Sequence, residues 1–323
     1  MWKDNAILLM TANLPVQRLA DKKAALDTLR PIPRSVMSGI GDALHLEWSY
    51  HSNAIEGNTL TLQETAVVIA HGITIGGKSM REHLEAVNHH DAIGYVEALA
   101  TPGFILTERV VRDLHTLVLD KIEKEQIGRY RQTGVRIGGA NFTPPDALQV
   151  PLLMQELVDW VNENPLKLSP VLLATVFHHR FVWIHPFVDG NGRTVRLLQN
   201  LLLMSAGYPP AIILRHDRKK YYKALNKADT SDLTDLGLLI LQAAERSLDI
   251  YLSNLNDNAS DYKPIGDIVE EETVPYGEEY LGLLARRGHI DAYKEGKVWY
   301  TSAKSVADYM AKRQRNRTPK GSR

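Results

Sequence analysis

The chain has 323 residues, 44% of them hydrophobic and 24% charged, with no cysteine and a formal net charge of zero from 38 basic and 38 acidic side chains. That length accommodates two or three domains around a sizeable core. Without cysteine there are no disulfides, thiolate metal sites or cysteine nucleophiles, and without net charge no global field draws the molecule to nucleic acid or an anionic membrane.

The first residues, Met1 to Asn5, lack a basic stretch followed by an apolar one. The longest apolar runs, among them Val171–Phe177 and Leu201–Met204, are far too short to span a bilayer. The expectation is therefore a cytoplasmic protein with no membrane partner. Most of the chain then reads as helix. Ile40–Glu56 is helix-compatible and stops at Gly57, a residue suited to the left-handed end of a helix. Thr61 with Glu64 three residues later forms a capping box that opens the next helix. Apolar residues recurring three and four apart predict further helices over Arg81–Ala100, Glu108–Ile122, Pro151–Asn162, Ser169–Val182, Gly192–Ala206, Arg218–Asp229 and Leu233–Asn254. One stretch differs: Gly128–Asn141 alternates Val135-Arg136-Ile137 ahead of Gly138-Gly139, which predicts a small β-hairpin. Beyond the polar, weakly patterned Ser253–Pro264 lies a compact unit with a helix over Gly277–Arg287, a hairpin centred on Gly296 and a final helix over Ser302–Ala311. The tail carries Lys312, Arg313, Arg315, Arg317, Lys320 and Arg323 with no acid.

Chemistry concentrates in His185-Pro-Phe-Val-Asp-Gly-Asn-Gly-Arg-Thr-Val-Arg196. Gly190 and Gly192 let the backbone approach a ligand, and the first turn of the helix that follows offers unpaired N–H groups and the positive dipole end. Arg193 and Arg196, three residues apart, project from one side of that turn. Arginines there oppose the dipole unless an anion is present, so the segment reads as a polyphosphate site and not as an ordinary turn. Asp189 is a natural ligand for Mg²⁺ bridging phosphates. His185, just upstream, is placed to accept a proton from an attacking hydroxyl. The neighbouring His178 and His179 diverge by about 100° on a helix, which argues against one ion shared with His185, and at least one of them reads as core support.

This segment resembles the signature of the Fic-domain family, H-x-F-x-[DE]-G-N-G-R-x-x-R, at every fixed position: His185, Phe187, Asp189, Gly190, Asn191, Gly192, Arg193 and Arg196. The likeness extends from about Leu44 to Leu252 and takes in Gly128-Arg-Tyr-Arg131 and Gly207-Tyr-Pro-Pro210. The resemblance implies a mainly α fold: a helical Fic core with a small β-hairpin flap, carrying a small C-terminal winged-helix-like α+β domain. It also implies transfer of AMP from ATP, with Mg²⁺, to a hydroxyl of a protein substrate, self-modification included. Carried over by position, His185 is the general base and Phe187 a core anchor. Asp189 holds Mg²⁺, Gly190, Asn191 and Gly192 line the α-phosphate region, and Arg193 and Arg196 take the outer phosphates. Val135, Arg136 and Ile137 align the target segment, and Tyr221 with Tyr222 lines the base pocket. Asp229 departs from the Asn of some relatives.

Ser52-Asn-Ala-Ile-Glu56-Gly57 fits the family's inhibitory pattern [ST]-x-x-x-E-[GN]. It implies that Glu56 pairs with Arg196 and denies it to the nucleotide, and it leaves open a role for Glu56 in removing AMP by hydrolysis. Three divisions are expected: residues 1–105 with the inhibitory helix, 106–255 as catalytic core and 256–323 as the winged-helix-like unit. In that last unit Arg286, Arg287, Lys294, Lys297 and Lys304 are offset by Glu271, Glu272, Glu278, Glu279, Asp291 and Glu295, so DNA binding, protein contact and homodimerisation all stay open. A DNA-binding regulator that uses the core as a nucleotide sensor is the competing reading.

Overall fold

The computed structural model describes residues 7, 14–30, 34–123, 125–139, 142–255, 262–271, 273–295 and 297–315. Met1 to Asn5, Asn141, the linker residues 256–261, Glu272, the hairpin centre Gly296 and the tail's Arg317, Lys320 and Arg323 lie outside the described residues.

The element order is α1 (Val16–Thr28), α2 (Arg34–Ile55), α3 (Leu62–His71), α4 (Met80–Leu99), α5 (Glu108–Val118), a 3₁₀ turn (Ala147–Gln149), α6 (Val150–Glu163), α7 (Pro170–Ile184), α8 (Asn191–Ser205), a second 3₁₀ turn (Arg215–Asp217), α9 (Arg218–Ala228) and α10 (Thr234–Leu255). The C-terminal unit adds β1 (Lys263–Pro264), α11 (Ile265–Val269), α12 (Glu278–Arg286), β2 (Ala292–Glu295), β3 (Val298–Thr301) and α13 (Ala303–Arg315).

Local chemistry sets the helix ends. Thr61 accepts from the Glu64 amide while Glu64 reaches back to the Thr61 amide, the expected capping box, and Ser79 with Glu82 builds a second one ahead of α4. Pro170 occupies the first turn of α7, where its missing N–H costs nothing. α7 and α8 form the central hairpin, and both are buried on nearly every side, α8 with polar and charged residues among its buried ones. α4 and α5 pack on α8, α2 packs on α4, and α10 runs against α1 and α7. One hydrophobic cluster runs through Leu19, Trp48, Ile93, Phe181, Leu198 and Leu248, so the N-terminal helices and the motif helices share a core.

At 128–139 the expected hairpin does not form a ladder. The described residues carry no regular structure at 134–137, turn at Gly138-Gly139, and pair with no described strand. An isolated pair of short strands is marginal in water, and Gly139 adopts φ 80°, so the segment is a loop held from its ends.

The C-terminal unit has its own small core around Ile268, Leu281, Ile290 and Val306. Its antiparallel sheet has the order β1-β3-β2, with Tyr293 opposite Tyr300 and Lys294 opposite Trp299. Buried charge ties it to the rest. Lys22 Nζ of α1 donates to Asp249 at 2.6 Å and to Asp291 at 2.6 Å, while Arg18 forks onto Glu245 at 2.6 and 2.7 Å. Removing one member leaves uncompensated buried charge. Lys22→Met is therefore expected to lower stability in urea by about 3–5 kcal/mol, and an unchanged midpoint contradicts a structural role for the cluster.

Candidate active site

The α7–α8 junction is where the motif becomes a site. α7 ends because His185 takes a left-handed conformation, φ 50°, costly for a residue with a Cβ and held by its surroundings. Gly190, at φ 77°, sits at the head of α8, and no side chain caps that N-terminus. Its first amides are left for an external acceptor. Asn191 is spent on the loop itself: Oδ1 accepts from the Phe187 amide at 3.0 Å and Nδ2 donates to the Phe187 carbonyl at 2.8 Å. Asn191 thus offers a ligand its backbone, not its side chain.

Two residues that pattern reasoning gave no role hold the loop rigid. Gly128 N–H donates to His115 Nδ1 at 3.0 Å, so Nε2 carries the proton and donates to the Asp189 carbonyl at 3.0 Å. The His115 ring also stacks on Phe187 with centroids 3.6 Å apart. Arg131 is buried without a carboxylate partner in hydrogen-bond contact. Its guanidinium donates to the carbonyls of His185 (2.8 Å), Thr133 (3.0 Å), Pro145 (2.6 Å) and Ile184 (3.3 Å), fastening the base of the 134–139 loop to the motif. Glycine-rich loops and isolated histidines carry no signal of such packing in the sequence.

Both motif arginines are buried, each 3% exposed. Arg196 Nη2 donates to Glu56 Oε1 at 2.8 Å and to the Ser52 carbonyl at 2.8 Å, and Nε donates to Ser52 Oγ at 3.0 Å. Arg196 Nη1 has no hydrogen-bond partner. Glu56 lies directly over Gly192: a Cβ built there would collide with Glu56 Oε1. A carboxylate therefore fills the space above the head of α8. Arg193 lies 3.0 Å from Glu85 Oε1 and 3.6 Å from Asp189 Oδ1, with Nε unpaired. Glu85, which sequence reasoning missed, also accepts from Asn58 Nδ2 at 3.0 Å and so links Arg193 to the turn that follows Glu56.

Asp189 Oδ1 takes the Gly190 amide at 2.6 Å, and Oδ2 takes Arg81. Burial pushes this carboxyl upward, but Arg193, the Gly190 amide and Arg81 outweigh it and hold the pKa below the ordinary value. No group of three or more potential ligands gathers here or elsewhere among the described residues. One half-exposed carboxylate suits Mg²⁺ only if phosphates and water complete the shell, the usual arrangement for that ion.

His185 is largely buried, and its ring lies 3.4 Å from the Val182 carbonyl through Nδ1. Burial and, secondarily, Arg131 lower its pKa to about 4, against the opposing effects of the Val182 contact, Glu56 and Asp189. The imidazole is neutral at pH 7. It opens on a cavity of about 440 Å³ also lined by Glu56, Gly192, Ile137, Tyr221, Tyr222 and Asp229. Val135 and Arg136 lie beside Ile137 on the loop but not in the lining. Tyr221 is fixed by its hydroxyl to His178 Nε2 at 2.8 Å, and His178 is fixed in turn by Gln199 at 2.7 Å. His179 donates to Asp229 at 2.8 Å, so both histidines of the pair support the pocket wall.

The model of the Fic/DOC family matches residues 105–203. The chain is 38% identical over 256 residues to a protein adenylyltransferase Fic of Drosophila virilis, covering 75% of this chain and 52% of that protein. It therefore spans about half the length of the curated relatives it matches. Residues 134–508 of Fic-1 from C. elegans superpose with a TM-score of 0.67 at 30% identity, covering 73% of this chain and 70% of that one. A Fic family protein from Desulfovibrio desulfuricans G20, at 23% identity and a TM-score of 0.59, covers 98% of this chain and 97% of its own, and shares the fold through the C-terminal unit.

The Arg131 contacts give a direct test. Replacing it by Met strands at least two buried carbonyls, at about 1–3 kcal/mol each. Arg131→Met should lower stability by that order and speed amide exchange at 132–139, whereas unchanged exchange contradicts the fastening role.

Proposed function

The chain belongs to the Fic/DOC family, and on that premise we propose that it transfers AMP from ATP to a Ser, Thr or Tyr hydroxyl of a protein, itself included, under restraint by Glu56. The observation that carries this reading is the carboxylate lodged over Gly192 against Arg196, beside a neutral imidazole. A buried guanidinium with an open N–H and an uncapped helix head is a receptor for phosphate oxygens. A protein carboxylate in the same place competes with them for the same donors.

In this reading Arg196 and Arg193 hold the outer phosphates, and the backbone of Gly190, Asn191 and Gly192 holds the inner one. The base rests against Tyr221 and Tyr222. Asp189 fits Mg²⁺ as its single protein ligand, and the ion would supply charge neutralisation between phosphates. The target hydroxyl approaches along 135–137 and gives its proton to His185 Nε2 as its oxygen attacks the α-phosphorus. The bond to the β-phosphate oxygen breaks, and pyrophosphate leaves. Arg81, which now pairs with Asp189, would have to release that carboxylate for it to hold the ion.

The Glu56–Arg196 pair, worth about 1.5–3 kcal/mol as a charge-assisted contact, would suppress productive binding about ten- to a hundredfold. Glu56→Gly should raise incorporation from α-labelled ATP by that factor, and adding His185→Ala should abolish it. Label arriving from the γ-position instead would identify phosphoryl transfer. The depressed histidine pKa has a sign: the base stays deprotonated, and active, until pH falls toward about 4. The acid limb of kcat/KM in Glu56→Gly is expected well below the ordinary histidine value of about 6.5. A limb at that ordinary value would contradict a buried, neutral His185 as the base.

A further inference from the structure

Arg246, midway along α10, is 7% exposed. Its Nη2 lies 2.8 Å from Glu47 Oε2, while Nε and Nη1 have no hydrogen-bond partner. Unsatisfied donors inside a protein cost on the order of 1–3 kcal/mol each, so a buried fork in this state calls for an acceptor. Arg196 shows the same signature in the motif: one carboxylate partner and an open N–H.

Arg246 lines two adjoining recesses, the narrower at the seam between the helical core and the C-terminal unit and the wider on the core itself. The narrower, about 30 Å³, includes Lys220, Lys294 and Trp299 and is water-sized. The wider, about 470 Å³ and open to solvent, includes Tyr50, His51, Arg215 and His216 and has room for a phosphate with a sugar attached. Among the described residues lining the two, four cations (Arg215, Lys220, Arg246, Lys294) face two carboxylates (Glu47, Asp217). Asp217 already stands 3.6 Å from His216.

The imidazoles register the imbalance. Burial, then Arg246, His216 and Arg215, hold His51 down to about 3, so its ring is neutral. Its Nδ1 accepts the Arg215 amide at 3.0 Å, which leaves Nε2–H as its donor. Burial followed by Lys294, Arg246 and Lys220 lowers His216 as well, with Asp217 opposing. Burial and Lys294 lower Lys220, again against Asp217. A surplus of two positive charges around a rigid fork matches a dianion with several oxygens better than a single carboxylate.

We propose that these two adjoining recesses together bind a phosphate monoester group, with Arg246, which lines both, as its buried anchor, Arg215 of the wider as one outer contact and Lys294 of the narrower as the other. The group belongs either to a free sugar phosphate or to the 5′-terminal phosphate of a nucleic acid. The site is separate from the transfer chemistry: its occupancy requires neither His185 nor a nucleotide base. Two of its walls nonetheless lead to the motif, since α2 ends one turn beyond His51 at Ile55, whose carbonyl accepts Arg218 Nε at 2.6 Å.

The experiment titrates inorganic phosphate into the full chain at ionic strength balanced with sodium chloride and follows the thermal midpoint. The expected result is a saturable rise in wild type. In Arg215→Ala/Lys294→Ala, both partly exposed and able to fold, the apparent affinity should fall at least about tenfold, the value of one lost charge-assisted contact. Arg246→Lys, which keeps the partner for Glu47 but loses the fork, should fall similarly with its far-UV dichroism unchanged. Equal rises in wild type and the double variant would place the phosphate elsewhere, the motif included, and overturn the proposal. Competition by ribose 5-phosphate assigns a free ester, and competition by a short 5′-phosphorylated DNA duplex, absent without its 5′-phosphates and abolished in the double variant, assigns a nucleic-acid terminal phosphate. Failure of both to compete also overturns the proposal.

Discussion

Two guanidinium groups buried at the head of a helix are the constraint around which the rest of this molecule is arranged. Arg193 and Arg196 sit where the dipole of α8 disfavours cations, and almost no water reaches them. Such a placement persists only if anions come to meet it. Those anions are Glu56 on Arg196 and Glu85 with Asp189 on Arg193. Each carboxylate arrives on a different element, so α2, α4 and the 185–190 loop are held in register by the charge they neutralise. In the proposed reaction the phosphates of ATP take over that duty, and the same electrostatics explain both restraint and catalysis.

The scaffold makes this exchange of partners inexpensive. Arg131, His115 and the side chain of Asn191 each tie backbone to backbone around the loop, and Phe187 is clamped beneath it. A phosphate can replace the Glu56 carboxylate without a rearrangement of its donors, because none of those donors depends on Glu56 for position. Glu56 itself is the looser partner. Its side chain is 30% exposed against 4% for Arg196, and it stands in the turn just past the end of α2. What moves is therefore expected to be the carboxylate.

Much of this was legible in the sequence. Helices such as 218–228 and 191–205 declared themselves by apolar periodicity, and the motif declared itself by the conflict between two arginines and a helix head. The contact between Glu56 and Arg196 followed from the family resemblance, with the spacing of Ser52 and Glu56 in support. Other features were out of reach because they depend on contacts between distant residues. Glu85 looks like any helical glutamate until α4 packs on α8. Arg131 gives no hint that its partners are four carbonyls, two at the end of α7 and two on the loop before α6. The loop at 134–139 carries hairpin composition, but a ladder needs a partner strand, and the described residues supply none. α1, with only Leu19 and Leu26 buried, has too weak a pattern to read.

The account rests on one claim, that a carboxylate and a phosphate compete for the same atoms. The most direct measurement is a crystal structure of Glu56→Gly with ATP and Mg²⁺. The account predicts a phosphate oxygen within hydrogen-bond reach of Arg196 Nη2 and over Gly192, in the place Glu56 Oε1 holds in the native chain. A nucleotide bound elsewhere, with Arg196 and the head of α8 left without an anion, would contradict it.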